Sequence, residues 1–157
     1  MNRTSPLDKF AVALATLGPV GLLPKAPGTW GSLVAVIVSP WLFLTMPLWW
    51  RILALLAVLA VGTWACTRAE KFYGKKDPGC VVLDELFGQW LALLFCPGLP
   101  VGFLLLAFIF FRFFDILKPW PVRWAETAFP DGLGVMMDDG IAGLYALLCL
   151  HGIALIL

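Results

Sequence analysis

The stretch LFGQWLALLFCPGLPVGFLLLAFIFF, from Leu86 to Phe111, carries no charge, yet Asp84-Glu85 bound it on one side and Arg112 on the other. A helix rises about 1.5 Å per residue and a bilayer core is about 30 Å thick, so an unbroken helix here would be long enough for one crossing. Pro97-Gly98-Leu99-Pro100, in the middle, forbids it. Proline lacks an amide donor and clashes with the preceding turn, and Gly98 permits a reversal. The stretch is predicted to be a helical hairpin, Cys80 to Phe95 and Val101 to Leu117. In an antiparallel pair, equal counts from the turn mean equal depth, which sets Asp84, Glu85, Arg112 and Asp115 at one level.

Outward from the hairpin, charge-free windows lie between Lys25 and Arg51, between Arg51 and Arg68, and over Gly140–Leu157. The expected spans are 31–49, 52–67, 80–95, 101–117 and 139–157. Phe10–Leu23 is too short to cross and contains Gly18, Pro19 and Gly21, so an interfacial or re-entrant helix is expected there. Hydrophobic residues make up 61% of the chain and charged residues 13%, far too little polar surface for a soluble domain. The expected fold is all-α: a polytopic membrane bundle of about five short spans behind an N-terminal interfacial helix. Its 157 residues suit a single domain over 1–157. The N-terminus lacks the basic-then-apolar layout of a cleaved signal peptide. A net charge of +1 gives no basic stripe for nucleic acid. Cys66, Cys80, Cys96 and Cys149 form neither a CxxC pair nor a ligand cluster and read as small buried hydrophobes.

Ten of the eleven Lys and Arg, and all ten acidic residues, fall toward the face that carries residues 1–30, 68–79 and 118–138. The positive-inside rule makes that face cytoplasmic. Arg51, beside Trp49 and Trp50, reads as an interfacial anchor on the far side. Asp138 and Asp139 open the expected last span near the level of Asp84, Glu85, Arg112 and Asp115. Arg112 with Asp115 could be a local ion pair, and Asp138 a helix cap. Five carboxylates with one arginine are not explained that way, because like-charged neighbours at low dielectric raise each other's cost of ionisation. A divalent cation relieves that cost, and oxygen ligands without Cys or His point to Mg²⁺, with Mn²⁺ as a substitute. Pro27-Gly28-Thr29-Trp30-Gly31-Ser32 leads into a helix start, where free amides and hydroxyls suit a phosphate; a turn with an N-cap accounts for it equally. Lys118 and Arg123 flank the stiff Pro119-Trp120-Pro121 beside the acidic level. Metal and phosphate-binding groups at headgroup depth indicate phosphoryl chemistry on a lipid.

Other phosphatase designs are excluded. His151 is the only histidine, no cysteine is followed six residues later by arginine, and neither a DxDx(T/V) motif nor an alcohol-phosphotransferase pattern is present. A carboxylate–metal site using water or an aspartyl nucleophile remains.

Four segments, Pro27–Ser32, Val82–Gly88, Phe111–Pro121 and Gly132–Gly143, resemble in order and spacing the bacterial phosphatidylglycerophosphatase A family over nearly the whole chain. The resemblance implies an inner-membrane, Mg²⁺-dependent phosphatase that converts phosphatidylglycerophosphate to phosphatidylglycerol. Carried over by motif, the functional residues are Asp84, Glu85, Arg112, Asp115, Lys118, Asp138 and Asp139, with Gly28 and Thr29 from the first segment. On this reading Asp84, Glu85 and Asp139 hold Mg²⁺. Asp115 or Asp138 acts as base or completes the shell, and Gly28, Thr29, Arg112 and Lys118 bind the substrate. Partners would be the lipid substrate and membrane lipids, with no nucleic acid, and self-association is compatible with the pattern. The competing class is a small cation channel or transporter with a carboxylate-lined path, but no acidic group lies near the far face.

Overall fold

The computed structural model describes residues 5–96 and 101–156, so the expected turn at Pro97–Pro100 and the terminal Leu157 lie outside the described residues. The described residues are all-helical, with no strands: α1 (Pro6–Ala15), a 3-10 turn at Val20–Leu22, α2 (Pro27–Leu42), α3 (Leu48–Tyr73), α4 (Leu83–Ala92), α5 (Val101–Leu117), α6 (Val122–Ala128) and α7 (Asp131–Ile156). Two helices, α3 and α7, are each 26 residues long and apolar enough to cross a membrane. Large apolar side chains point outward around the molecule, among them Trp41, Leu105, Leu148 and Leu155. A water-facing surface of that kind would be a broad exposed apolar patch; a lipid-facing one is the normal case.

The boundaries differ from the charge-window reading for physical reasons. Helix α3 continues through Arg68 and Lys71 to Tyr73 and stops at Gly74, which takes the left-handed conformation (φ 64°) that ends helices. Charges mark where a bilayer would end, not where hydrogen bonding ends. Helix α2 has 16 residues, about 24 Å, and the chain turns before Pro47, so Trp49-Trp50-Arg51 form the first turn of α3 rather than a loop. Helix α4 has ten residues, about 15 Å, half the thickness of a bilayer core, instead of running from Cys80 to Phe95. Helix α7 begins at Asp131, eight residues before the expected start. Gly132 and Gly134 look like helix breakers, but they let α7 lie against other backbones: a Cβ on Gly132 would sit 2.4 Å from Thr67 N, and one on Gly134 2.7 Å from Glu126 O. Helix α6 was not expected at all. In the N-terminal segment, α1 is short, as expected, and its Asp8 pairs with Arg68 of α3 at 2.6 Å.

Arg51 is a clear correction. It is buried, not a surface anchor: Nε donates to Met46 O at 2.8 Å, Nη1 to Leu94 O at 3.1 Å and Nη2 to Leu44 O at 2.6 Å. These carbonyls lie just past the ends of α2 and α4, where no helical partner remains. One guanidinium thereby ties three helices at the end remote from the acidic residues. His151, expected in a core or pore, lies at the surface of α7 beside Phe95.

Among the described helices, α4 and α7 share the most extensive contact, and their backbones cross at close range. A Cβ on Gly143 would stand 2.3 Å from Gly88 O, and one on Gly88 would stand 2.5 Å from Asp139 O and 2.4 Å from the Phe111 ring. Small residues permit backbones to approach this closely within a membrane. Gly143→Val should therefore separate the two helices. Thermal unfolding in detergent should show a loss of about 3 kcal/mol, the upper range for an overpacked core. An unchanged melting temperature would contradict the close crossing.

Candidate active site

The crossing places Asp84 and Glu85, in the first turn of α4, against Asp139, in the third turn of α7. One carboxylate oxygen from each of these three buried residues lies within 4.8 Å of the others. Asp84 Oδ1, Glu85 Oε2 and Asp139 Oδ2 are buried and have no hydrogen-bond partner among the described residues. Buried polar atoms are nearly always paired, so three clustered carboxylates that each keep an unpartnered oxygen need a cation or ordered water.

The other two carboxylates are differently placed. Arg112 Nη1 pairs with Asp115 Oδ2 and approaches Glu85 Oε1 at 3.9 Å. Asp138 accepts from Lys118 Nζ at 2.6 Å through Oδ2, and from the Asp139 amide at 2.9 Å through Oδ1. The expected level of Asp84, Glu85, Arg112 and Asp115 is thus present, and α7 brings Asp138 and Asp139 to it. Asp138 does not cap α7, because the helix has already run two turns before it. The five acids divide into two with cationic partners and three whose charge is uncompensated apart from the distant Glu85–Arg112 approach.

Lys118 does not continue α5, which ends at Leu117. It ends the helix in a left-handed conformation (φ 45°), and Pro119 follows, a residue that disfavours helix at the position before it. The amine turns instead toward α6 and α7, bridging Glu126 at 3.0 Å and Asp138. Burial alone would lower its basicity, but Asp138 and Glu126 outweigh that and hold the amine above its usual pKa. Lys118 therefore stays cationic at any neutral pH.

The first segment borders the same site. A Cβ on Gly28 would stand 2.1 Å from Glu85 Oε1 and 3.3 Å from Arg112 Nη1, so only glycine leaves room for the carboxylate. Ser32 Oγ accepts from Arg112 Nη1 at 3.4 Å and donates to Gly28 O at 2.8 Å. The expected amide cradle is smaller than the sequence implied. The amides of Thr29 and Trp30 both bond Ala26 O, at 3.0 and 3.3 Å, and the Thr29 side chain has no polar partner among the described residues.

Two residues escaped the sequence reading. Glu126 had no visible signal, because α6 was read as loop. Gln89 had one: an amide in an apolar run, one helical turn after Glu85 and hence on the same face of α4. It is fully buried, with both amide atoms unpartnered among the described residues.

Fold and site together define a helical membrane protein with a buried carboxylate site flanked by two ion-paired cations. The chain belongs to the phosphatidylglycerophosphatase A family, whose model matches residues 13–154. It is 35% identical to phosphatidylglycerophosphatase A of Haemophilus influenzae, with 98% of this chain and 97% of that protein covered. It is 36% identical to phosphatidylglycerophosphatase A of Escherichia coli over 92% of this chain and 81% of that protein. A Bacteroides thetaiotaomicron protein, named as a candidate phosphatidylinositol-3-phosphatase, is 42% identical over 80% of this chain and 82% of its own length. No solved structure matches the chain.

The charge division predicts opposite effects of neutralisation. Asp139→Asn relieves repulsion within an unpaired group, so metal-free stability should hold or rise. Lys118→Ala strands Asp138 and Glu126 and should cost about 2–3 kcal/mol, less than a fully buried pair because the lysine is 28% exposed. Thermal unfolding of both variants in chelator checks this; destabilisation by Asp139→Asn alone would reverse the assignment.

Proposed function

We propose that this protein is a Mg²⁺-dependent phosphatase that hydrolyses the terminal monoester of phosphatidylglycerophosphate to give phosphatidylglycerol and phosphate. The observation that carries the reading is the trio of buried, unpartnered carboxylate oxygens on α4 and α7, beside Arg112 and Lys118, in a chain of this family. The donor set is all hard oxygen, which fits Mg²⁺ or Mn²⁺ better than a softer metal. Asp84, Glu85 and Asp139 would hold the ion. Bound there, Mg²⁺ would polarise a phosphoryl oxygen and lower the pKa of the attacking water.

The chain's own groups supply the rest. Arg112 Nε is buried without a partner among the described residues, and with Nη1 held by Asp115 it is a fixed donor for an equatorial phosphoryl oxygen. Lys118 has three N–H groups; two reach Glu126 and Asp138, and the third is free for phosphate. Both oxygens of Asp138 are engaged, whereas Asp115 has only Oδ2 engaged among the described residues. Asp115 is therefore the better base for an attacking water, and Asp138 the group that positions Lys118. Gly28 keeps the α2 backbone against the phosphate site, while Thr29 contributes no more than its side chain at the rim.

The relatives' names differ in headgroup, glycerol or inositol, but both describe a phosphatidyl lipid with a monoester on that headgroup. The glycerol reading rests on the family model, which matches residues 13–154, and on the two relatives that carry the family's name. We place the protein in the bacterial inner membrane as a multi-pass protein, with the active face cytoplasmic, because the basic residues gather at that face. The channel reading lacks a carboxylate path: at the remote end the charged group is Arg51, bound to three backbone carbonyls.

Detergent-solubilised protein supplied with phosphatidylglycerophosphate should release phosphate with Mg²⁺, stop with chelator and resume when Mg²⁺ is restored. Release that survives chelation would remove the metal from the reading. No release under any metal would remove the substrate.

A further inference from the structure

Lys118, Trp120, Arg123, Trp124 and Thr127 line an open groove of about 580 Å³ along α6. Lys118 belongs to both this groove and the carboxylate site, since its amine reaches Asp138, whose backbone neighbour is Asp139. The groove is thus one side chain away from the reacting phosphate. Arg123 is exposed and makes no ion pair or hydrogen bond among the described residues, unlike Arg51, Arg68 and Arg112. Trp120 and Trp124 are 81% and 54% exposed. Two outward tryptophans, Trp120 in the turn before α6 and Trp124 on it, mark the headgroup level of a bilayer. The Trp120 backbone is fixed by Tyr145 Oη, which donates to its carbonyl at 3.0 Å. Immediately before the groove, the end of α5 exposes Phe113, Ile116 and Leu117, an apolar surface suited to acyl chains.

A phosphatidyl lipid that carries a headgroup monoester has two phosphates. The terminal one reacts; the diester joins the headgroup to the diacylglycerol and stays at the interface, a few bonds away. A site for such a lipid therefore needs a second anion receptor beside the first, at headgroup depth and opening toward the acyl chains. We infer that the α6 groove is that receptor, with Arg123 binding the phosphodiester of the substrate lipid and Trp120 and Trp124 flanking it in the interface. A planar guanidinium suits phosphate oxygens in a bidentate manner, and exposure of the side chain keeps it available. Because Lys118 lies between the two anions, its placement by Asp138 and Glu126 also fixes the spacing between the receptors. The inference rests on the lipid-phosphatase reading and names the part of the substrate that reading leaves unheld.

The test separates the diester from the monoester and from general attraction to an anionic surface. Short-chain phosphatidylglycerol, soluble as monomers, carries the diester and lacks the monoester; inorganic phosphate is the opposite probe. In Arg123→Gln, the dissociation constant for short-chain phosphatidylglycerol, measured by calorimetry, should rise about tenfold, the loss of one charge-assisted contact. The KM for short-chain phosphatidylglycerophosphate should rise similarly with kcat little changed, and the inhibition constant for inorganic phosphate should stay constant. Unchanged phosphatidylglycerol binding, or no binding by the wild type, would overturn the inference. So would an equal weakening of inorganic phosphate, which would make Arg123 a part of the reacting site. A defect seen only on anionic vesicles and absent with monomeric lipid would make Arg123 a membrane-surface contact and also overturn it. Failure of the wild type to hydrolyse the lipid at all would count instead against the proposed function.

Discussion

The close crossing of α4 and α7 is the constraint on which the rest depends. Gly88 and Gly143 let the two backbones approach until a single added methyl group would overlap a carbonyl. Nothing looser would carry Asp139 across to Asp84 and Glu85. The cost is electrostatic, because three carboxylates meet where little water reaches them. The structure offsets it only partly from within, by drawing Arg112 toward Glu85. Packing thus enforces an arrangement that charge opposes, and a cation held there would reconcile the two.

Around that trio the remaining charges are arranged as closed pairs. Arg112 is fixed by Asp115 and Ser32, and Lys118 by Asp138 and Glu126. Each cation is held in place, yet each keeps a donor facing the site. That is the condition for electrostatic preorganisation, where donors are aimed before charge develops and need not reorganise during reaction. At the opposite end, Arg51 does a structural task, binding the carbonyls that α2 and α4 leave open. The two arginines therefore serve different ends, one acting on the polar site and one on the frame that supports it.

Much of this was legible from the residues. Asp84-Glu85 and Arg112, flanking the uncharged stretch, marked where the charged groups gather, and Asp139 joins Asp84 and Glu85 there. What failed was anything that depended on glycine or on a helix leaving the membrane. The start of α7 falls before Asp138 and Asp139, which close the uncharged window, while Gly132 and Gly134 within its first turn are contact points against other backbones. Arg68 and Lys71 look like a loop, although the helix runs on to Gly74. Glu126 could not be linked to Lys118, because their meeting depends on the left-handed turn at Lys118 and on α6. Arg51 looked like a surface anchor since sequence does not reveal which carbonyls are left without partners. Local charge and periodicity were readable; contacts set by close backbone approach were not.

The central claim is that Asp84, Glu85 and Asp139 form one cation site, and it is tested most directly without turnover. Purified protein in detergent can be titrated with Mn²⁺ while free ion is followed by electron paramagnetic resonance. The account predicts saturable binding to the wild type, displacement by excess Mg²⁺, and loss of that binding in Asp139→Asn with the fold retained. Equal Mn²⁺ binding by wild type and Asp139→Asn, or none by either, would contradict it.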